Sequence, residues 1–183
     1  MKISCVILAA GNSTRFKDNK LLCQMNGLPM ILHLFEKVKD IDFHQVCVVT
    51  QYKQIEEYAN TYGYDVVMNQ YPFLGISHSI QLGVKRCYES DYIMFIVSDM
   101  PFLKKETLLH LIAHIDGNII ACTHNGILVN PMLFPKHYYH ELMTLKGDKG
   151  GQSIALLHTV TKVNIDRFEC QDIDTQDDLI KYQ

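Results

Sequence analysis

Apolar runs of strand length alternate with runs of helical period along this chain, and the alternation predicts its elements one by one. Residues 3–9 (ISCVILA) form a nearly unbroken apolar run, which reads as a buried strand. Residues 29–40 begin with Pro29 and place Ile31, Leu34, Phe35 and Val38 on one face, so they read as a helix with proline in its first turn. A strand over 45–50 (QVCVVT) and a helix over 53–63, stopped by Gly63, come next. A strand over 64–69 (YDVVMN) and a helix over 77–89, opened by Ser77, follow. The run 92–99 (YIMFIVSD) is continuously apolar until its last two residues and reads as a strand; 104–116 reads as a helix. Residues 118–123 (NIIACT) form a strand, and Asn125-Gly126 is a turn signal leading into further β pattern over 125–134. Segments 137–145 and 151–158 read as helical, 160–165 as a strand, and 175–183 as a short closing helix.

Strands that are apolar throughout, with helices between them, imply a mostly parallel sheet covered on both faces. The expected class is therefore α/β, as one domain over 1–183, with no repeat, low-complexity tract or linker. In such sheets ligands bind at the carboxyl ends of the strands, so polar residues at those ends carry the functional information.

Composition narrows the functional classes. The 183 residues are 48% hydrophobic and 20% charged, ordinary for a globular domain. The net charge of −3 argues against a general nucleic-acid surface, though not against a local basic pocket. No run is long enough to span a membrane and no secretion-signal pattern opens the chain, so neither nucleic acid nor a membrane is an expected partner. Six scattered cysteines include no CxxC; Cys5, Cys47 and Cys122 fall in strand runs and read as buried thiols, which fits a reducing cytoplasm. A structural zinc site is not expected.

Three polar clusters fall where the topology puts strand ends. After the first strand comes AAGNSTRFKDN and then Lys20, a small polar loop with the cations Arg15, Lys17 and Lys20. After 92–97 comes Ser98-Asp99-Met100-Pro101. Near the end, CQDIDTQDD brings Asp172 and Asp174 together. A small-residue loop after a strand can offer backbone N–H groups to a phosphate, yet neither the Walker nor the dinucleotide glycine fingerprint is present. The loop alone is equally compatible with an ordinary connection, and Asp99 alone with a turn residue. Together, a carboxylate at one strand end and a cationic loop at another fit a Mg2+–phosphate site.

Those residues also carry a family resemblance. LAAGNSTRFKDNKLL resembles the L-A-A-G-x-S-x-R-M-G-x-x-K signature of the molybdenum cofactor cytidylyltransferase-like nucleotidyltransferases. GISHSIQLGV, SDMP, NPMLF, GDKGGQSIALL and DIDTQDDL are similar to further segments of that family, in the same order along the chain. The resemblance is nearest to the accessory proteins of molybdenum hydroxylases. It implies a Rossmann-like three-layer αβα nucleotidyltransferase fold with a mostly parallel mixed sheet. It implies an enzyme transferring CMP from CTP to the terminal phosphate of molybdopterin, with release of pyrophosphate and Mg2+ as cofactor, for maturation of a molybdenum hydroxylase partner. Carried over, Leu8, Ala9, Ala10 and Gly11 would form the nucleotide turn, and Arg15 and Lys20 would hold the triphosphate. Asp99 would bind Mg2+, and the family's second metal carboxylate aligns with Asp172. Gly75, Ser77 and Ser79 would contact base or ribose, as would Asn69, and Asp148 would face the acceptor. For each of these five a plain structural role, as cap, turn or strand closure, is the competing reading.

The guanylyl relatives have Leu-Ala-Gly-Gly where this chain has Leu8-Ala9-Ala10-Gly11, so the Ala10 methyl favours a pyrimidine and hence CTP. The Asp99-Met100-Pro101 form is shared with the guanylyl relatives and points the other way. Lys17 stands where the family usually has glycine, and Gln152 where many members have arginine. Two alternatives keep the same residues: a nucleotidyltransferase using GTP or another phospho-acceptor such as a sugar phosphate, and a non-catalytic carrier of the finished cofactor.

Overall fold

In β1 (Ile3–Ala9) every side chain is buried, and alternate residues feed two different cores. Ile3, Cys5, Ile7 and Ala9 join one, while Val6 and Leu8 join the other. A strand with both faces apolar belongs at the centre of a sandwiched sheet, and there it lies. The computed structural model describes residues 1–12, 19–171 and 173. Arg15, Lys17, Asp172, Asp174 and the closing helix expected over 175–183 lie outside the described residues.

After β1, Lys20–Leu22 make one 3-10 turn. A two-residue hairpin of β2 (Gln24–Met25) and β3 (Leu28–Pro29) follows, closed by Asn26 and Gly27, both at positive φ. Then come α1 (Met30–Val38), β4 (Gln45–Thr50), α2 (Lys53–Thr61) and β5 (Asp65–Met68). A 3-10 turn at Pro72–Leu74 leads into α3 (Ile76–Arg86), then β6 (Tyr92–Val97) and α4 (Lys105–Ala113). β7 (Ile119–His124) and β8 (Ile127–Pro135) form a hairpin across Asn125 and Gly126, at φ of 49° and 78°, the left-handed pair a two-residue turn requires. Two short helices, α5 (Tyr139–Leu142) and α6 (Gln152–Ala155), precede β9 (Val160–Asn164).

Seven strands make one sheet in the order β5-β4-β1-β6-β8-β7-β9. β8 pairs antiparallel with both β6 and β7, and the other pairings are parallel. The sheet is thus mostly parallel and mixed, with three layers. Apolar residues of α1, α2 and α4 cover one face, and those of α3, α5 and α6 cover the other. Among the described residues no helix is long and apolar enough to cross a membrane. Cys5, Cys47, Cys87 and Cys122 are buried thiols.

Register brings the ends of three strands to one edge. Leu8 lies opposite Val97 and Ala9 opposite Thr50, so β1, β4 and β6 end level. The loops after β1 and β6 therefore leave the sheet side by side.

Candidate active site

The 3-10 turn after the first loop aims Lys20 at β6. Asn19 caps that turn, its Oδ1 accepting from Leu21 N–H at 3.0 Å. The Lys20 ammonium then donates to Asp99 Oδ2 at 2.9 Å and to the Ile173 carbonyl at 3.0 Å. Ile173 N–H in turn donates to the Asp99 carbonyl at 3.3 Å. Lys20, Asp99 and Ile173, far apart in sequence, thus meet at one point. The Lys20 and Asp99 side chains are 13% and 27% exposed, so the pair is partly screened from water yet reachable.

The Asp99 loop is braced from behind. Lys37 on α1 donates to the Pro101 carbonyl, and burial pulls its ammonium below the ordinary lysine range, which the nearby Glu169 partly offsets. Phe102 stacks on Phe168 at a ring separation of 4.3 Å. Glu169, only 4% exposed, accepts from Lys104 N–H at 3.1 Å, from the Thr107 hydroxyl, and from the Lys104 ammonium at 3.2 Å. The carboxylate sits at the start of α4, where the helix dipole favours a negative charge. Glu169→Gln keeps the shape and removes the charge, so it is expected to cost about 1–3 kcal/mol. Urea unfolding would read this as a lower midpoint at unchanged slope.

On the other face, the start of α3 packs against the loop before α6. Gly75 has φ +83°, and a Cβ there would lie 2.4 Å from the Gly147 carbonyl carbon and oxygen and 2.7 Å from Asp148 Oδ1. Ser77 N–H donates to the Gly147 carbonyl at 3.1 Å. A cavity of about 360 Å³ opens beside this contact. Leu8, Ile76, Phe95 and Met132 give it an apolar floor, and Asn130, Asp148, Lys149 and Ser153 add polar groups. Its size and mixed lining suit a small organic ligand.

The model of the MobA-like NTP transferase domain family matches residues 5–162. This chain belongs to that family. Relatives differ in what they are named for. The bifunctional protein GlmU of Desulfitobacterium hafniense is 30% identical over 131 residues, covering 70% of this chain and 29% of GlmU. The chain thus spans less than a third of the GlmU relatives it matches. A probable molybdenum cofactor guanylyltransferase of Pyrococcus horikoshii is 26% identical over 181 residues, covering 92% of this chain and 89% of that protein. The 3-deoxy-manno-octulosonate cytidylyltransferase of Parabacteroides distasonis is 37% identical over 116 residues, covering 59% of this chain and 43% of the relative. Among solved structures, the manganese complex of Rv0371C from Mycobacterium tuberculosis superposes with a TM-score of 0.83 at 23% identity, over 100% of this chain and 98% of that one, and shares the fold.

Within this MobA-like domain the predicted residues fall into groups. Leu8 lines the cavity, Ala9 is fully buried in the core that α1, α2 and α4 cover, and Ala10 is 6% exposed, whereas Gly11 is open to solvent. Gly75 and Ser77 pack against Gly147, and the neighbouring Asp148 lines the cavity. Asn69 and Ser79 are turned on each other: Asn69 Nδ2 donates to Ser79 Oγ at 3.0 Å, and its Oδ1 meets Tyr71 N–H and His78 Nδ1, both at 2.9 Å. Gln152 donates to the Leu128 carbonyl at 2.9 Å and so is engaged on β8. Sequence reasoning passed over Asn130, Lys149 and Ser153 at the cavity, and Thr50, Gln51 and Tyr52 beside the nucleotide turn. For the last three, the available signal was a run of polar side chains at the end of β4.

Proposed function

We propose that this MobA-like domain transfers a nucleotidyl group from a nucleoside triphosphate to a phosphorylated acceptor, with CTP as donor and molybdopterin as acceptor. The observation that carries the reading is the 2.9 Å pairing of Lys20 with Asp99 just beyond β6, at the edge where β1 and β6 end level; a ligand-sized cavity lined by Leu8 of β1 lies on the other face of the sheet. In-line transfer needs positioning and charge neutralisation more than covalent help, and this edge offers both. An acceptor phosphate oxygen attacks the α-phosphorus, the bond to the bridging oxygen breaks, and pyrophosphate leaves with the electron pair. The Lys20 ammonium lies where it can meet the charge gathering on the departing pyrophosphate; Arg15 is proposed to join it.

Asp99 fits a divalent cation. It is a hard oxygen donor, and Lys20 donates to its Oδ2. Mg2+ takes one or two carboxylates and fills its remaining positions with phosphate oxygens and water. Asp172 is the proposed second ligand. The manganese complex of the Mycobacterium tuberculosis neighbour supports a divalent ion in this fold. When bound, such an ion supplies positive charge to the phosphate oxygens.

The nearly buried Ala10 methyl favours the smaller pyrimidine and hence CTP, as in the cytidylyltransferase relative, while the guanylyltransferase relative keeps GTP as the competing donor. Molybdopterin is supported by that same relative and by a cavity with an apolar floor and polar rim; a molybdenum hydroxylase would receive the product. The deciding measurement is pyrophosphate release from purified protein with Mg2+, molybdopterin and CTP, GTP, ATP or UTP in turn. Release with CTP alone is expected. Release with GTP alone would overturn the base assignment, and release with none would overturn the acceptor or the catalytic reading.

A further inference from the structure

We infer that Thr50, Gln51 and Tyr52 are positioning residues that fix the polarity of the nucleotide turn. The inference rests on the nucleotidyl-transfer reading and adds how the turn is held for its ligand. Three consecutive side chains at the end of β4 take three consecutive carbonyls at the end of β1. The Thr50 hydroxyl donates to the Ala9 carbonyl at 3.0 Å. Gln51 Nε2 donates to the Ala10 carbonyl at 2.9 Å. The Tyr52 phenol donates to the Gly11 carbonyl at 2.8 Å. The set is itself tied together: Tyr52 N–H donates to Thr50 Oγ1 at 3.1 Å, and Gln51 Nε2 also reaches Asn12 Oδ1 at 2.8 Å.

The consequence follows from peptide geometry. A trans peptide is planar, and its carbonyl and N–H point in opposite directions. Pulling the carbonyls of Ala9, Ala10 and Gly11 toward β4 turns the N–H groups of Ala10, Gly11 and Asn12 away from it. Among the described residues the N–H groups of Gly11 and Asn12 meet no acceptor. Successive N–H groups facing one way form a concave anion site, and donors fixed before the ligand arrives need no reorganisation when it binds. The turn carries no glycine fingerprint to hold this shape by itself, having only Gly11 within Leu8 to Asn12. The three side chains hold it instead. Register makes this possible, because Ala9 sits directly opposite Thr50.

Tyr52→Phe removes one donor and keeps the ring, and Gln51→Met removes the amide at similar length. Thr50→Val removes the hydroxyl at constant volume, while Thr50→Ser restores it. Calorimetric titration with MgCTP and MgGTP, thermal unfolding, and steady-state kinetics on each protein test the inference. Each single loss is expected to weaken binding of the preferred nucleotide about tenfold, the scale of one hydrogen bond, and Gln51→Met with Tyr52→Phe about a hundredfold. KM for the nucleotide should rise more than kcat falls, Tyr52→Phe should unfold near the wild-type temperature, and Thr50→Ser should bind like the wild type. A double variant that binds as tightly as a binding-competent wild type would overturn the positioning role. So would losses that track the unfolding temperature and are not restored in Thr50→Ser. A wild-type protein that binds neither nucleotide would overturn the proposed function and this inference together.

Discussion

Asp99→Asn is expected to cut pyrophosphate release at least about a hundredfold while leaving the protein folded. Asparagine has the shape of aspartate, and its carbonyl still accepts from Lys20, so the local packing is kept. What disappears is a full negative charge at the point where three segments converge. That charge now draws the Lys20 ammonium to 2.9 Å and is the proposed anchor for a divalent ion. Because Asp99 is 27% exposed, its pair with Lys20 adds little to global stability, at most on the order of 1 kcal/mol. The unfolding temperature should therefore barely move. Initial rates measured across a range of Mg2+ concentrations should show a higher half-saturating concentration, with the rate only partly recovered at high Mg2+. Lys20→Met should lose a similar factor with little change in the Mg2+ dependence, which separates the cation's role from the carboxylate's. Near-wild-type turnover in Asp99→Asn would remove the carboxylate from the chemistry.

The centre of the sheet was legible because β1, β4 and β6 are apolar on both faces, so length and composition marked them without any alternation. The hairpin of β7 and β8 was legible from Asn125-Gly126 for the same local reason: the turn needs positive φ at two residues, and those two types tolerate it. The β2–β3 hairpin has an equivalent Asn26-Gly27 turn but only two residues per strand, too few for a pattern to show. At α3, Ser77 read as the residue opening the helix; the helix instead begins at Ile76, after Gly75, and the Ser77 N–H is taken by Gly147. That partner lies 70 positions along the chain, and no local signal announces it. Long-range partners also decide the polar residues. Asn69 and Ser79 look alike to Asp99 in sequence, as hydrophilic residues at element ends. Folding spends their hydrogen bonds on each other and leaves Asp99 facing the loop after β1. Thr50, Gln51 and Tyr52 act on β1, so their role is readable only once β4 is known to lie beside it.

The same dependence on distant backbone sets the second large effect. Gly75→Ala is expected to destabilise the protein by about 3 kcal/mol or more, lowering its unfolding temperature by roughly 6–12 °C. Two costs add. A φ of +83° is a conformation that side-chain-bearing residues rarely adopt, and the new methyl would lie 2.4 Å from the carbonyl carbon and oxygen of Gly147. The obstacle is backbone, which cannot swing aside as a flexible side chain would. Relief requires the 147–151 loop to retreat from α3, breaking the 3.1 Å bond between Ser77 N–H and Gly147. That loop carries Asp148, Lys149 and Ser153's approach to the cavity, so KM for the acceptor should rise more than KM for the nucleotide, whose turn lies at the end of β1. Gly150→Ala is the matched control: φ is not positive there, and the nearest atom to a new Cβ is Ile76 Cγ2 at 3.9 Å, an ordinary contact. It should unfold within a degree or two of the wild type. If both variants unfolded alike with unchanged acceptor KM, the close approach of α3 to this loop would not be what shapes the acceptor wall.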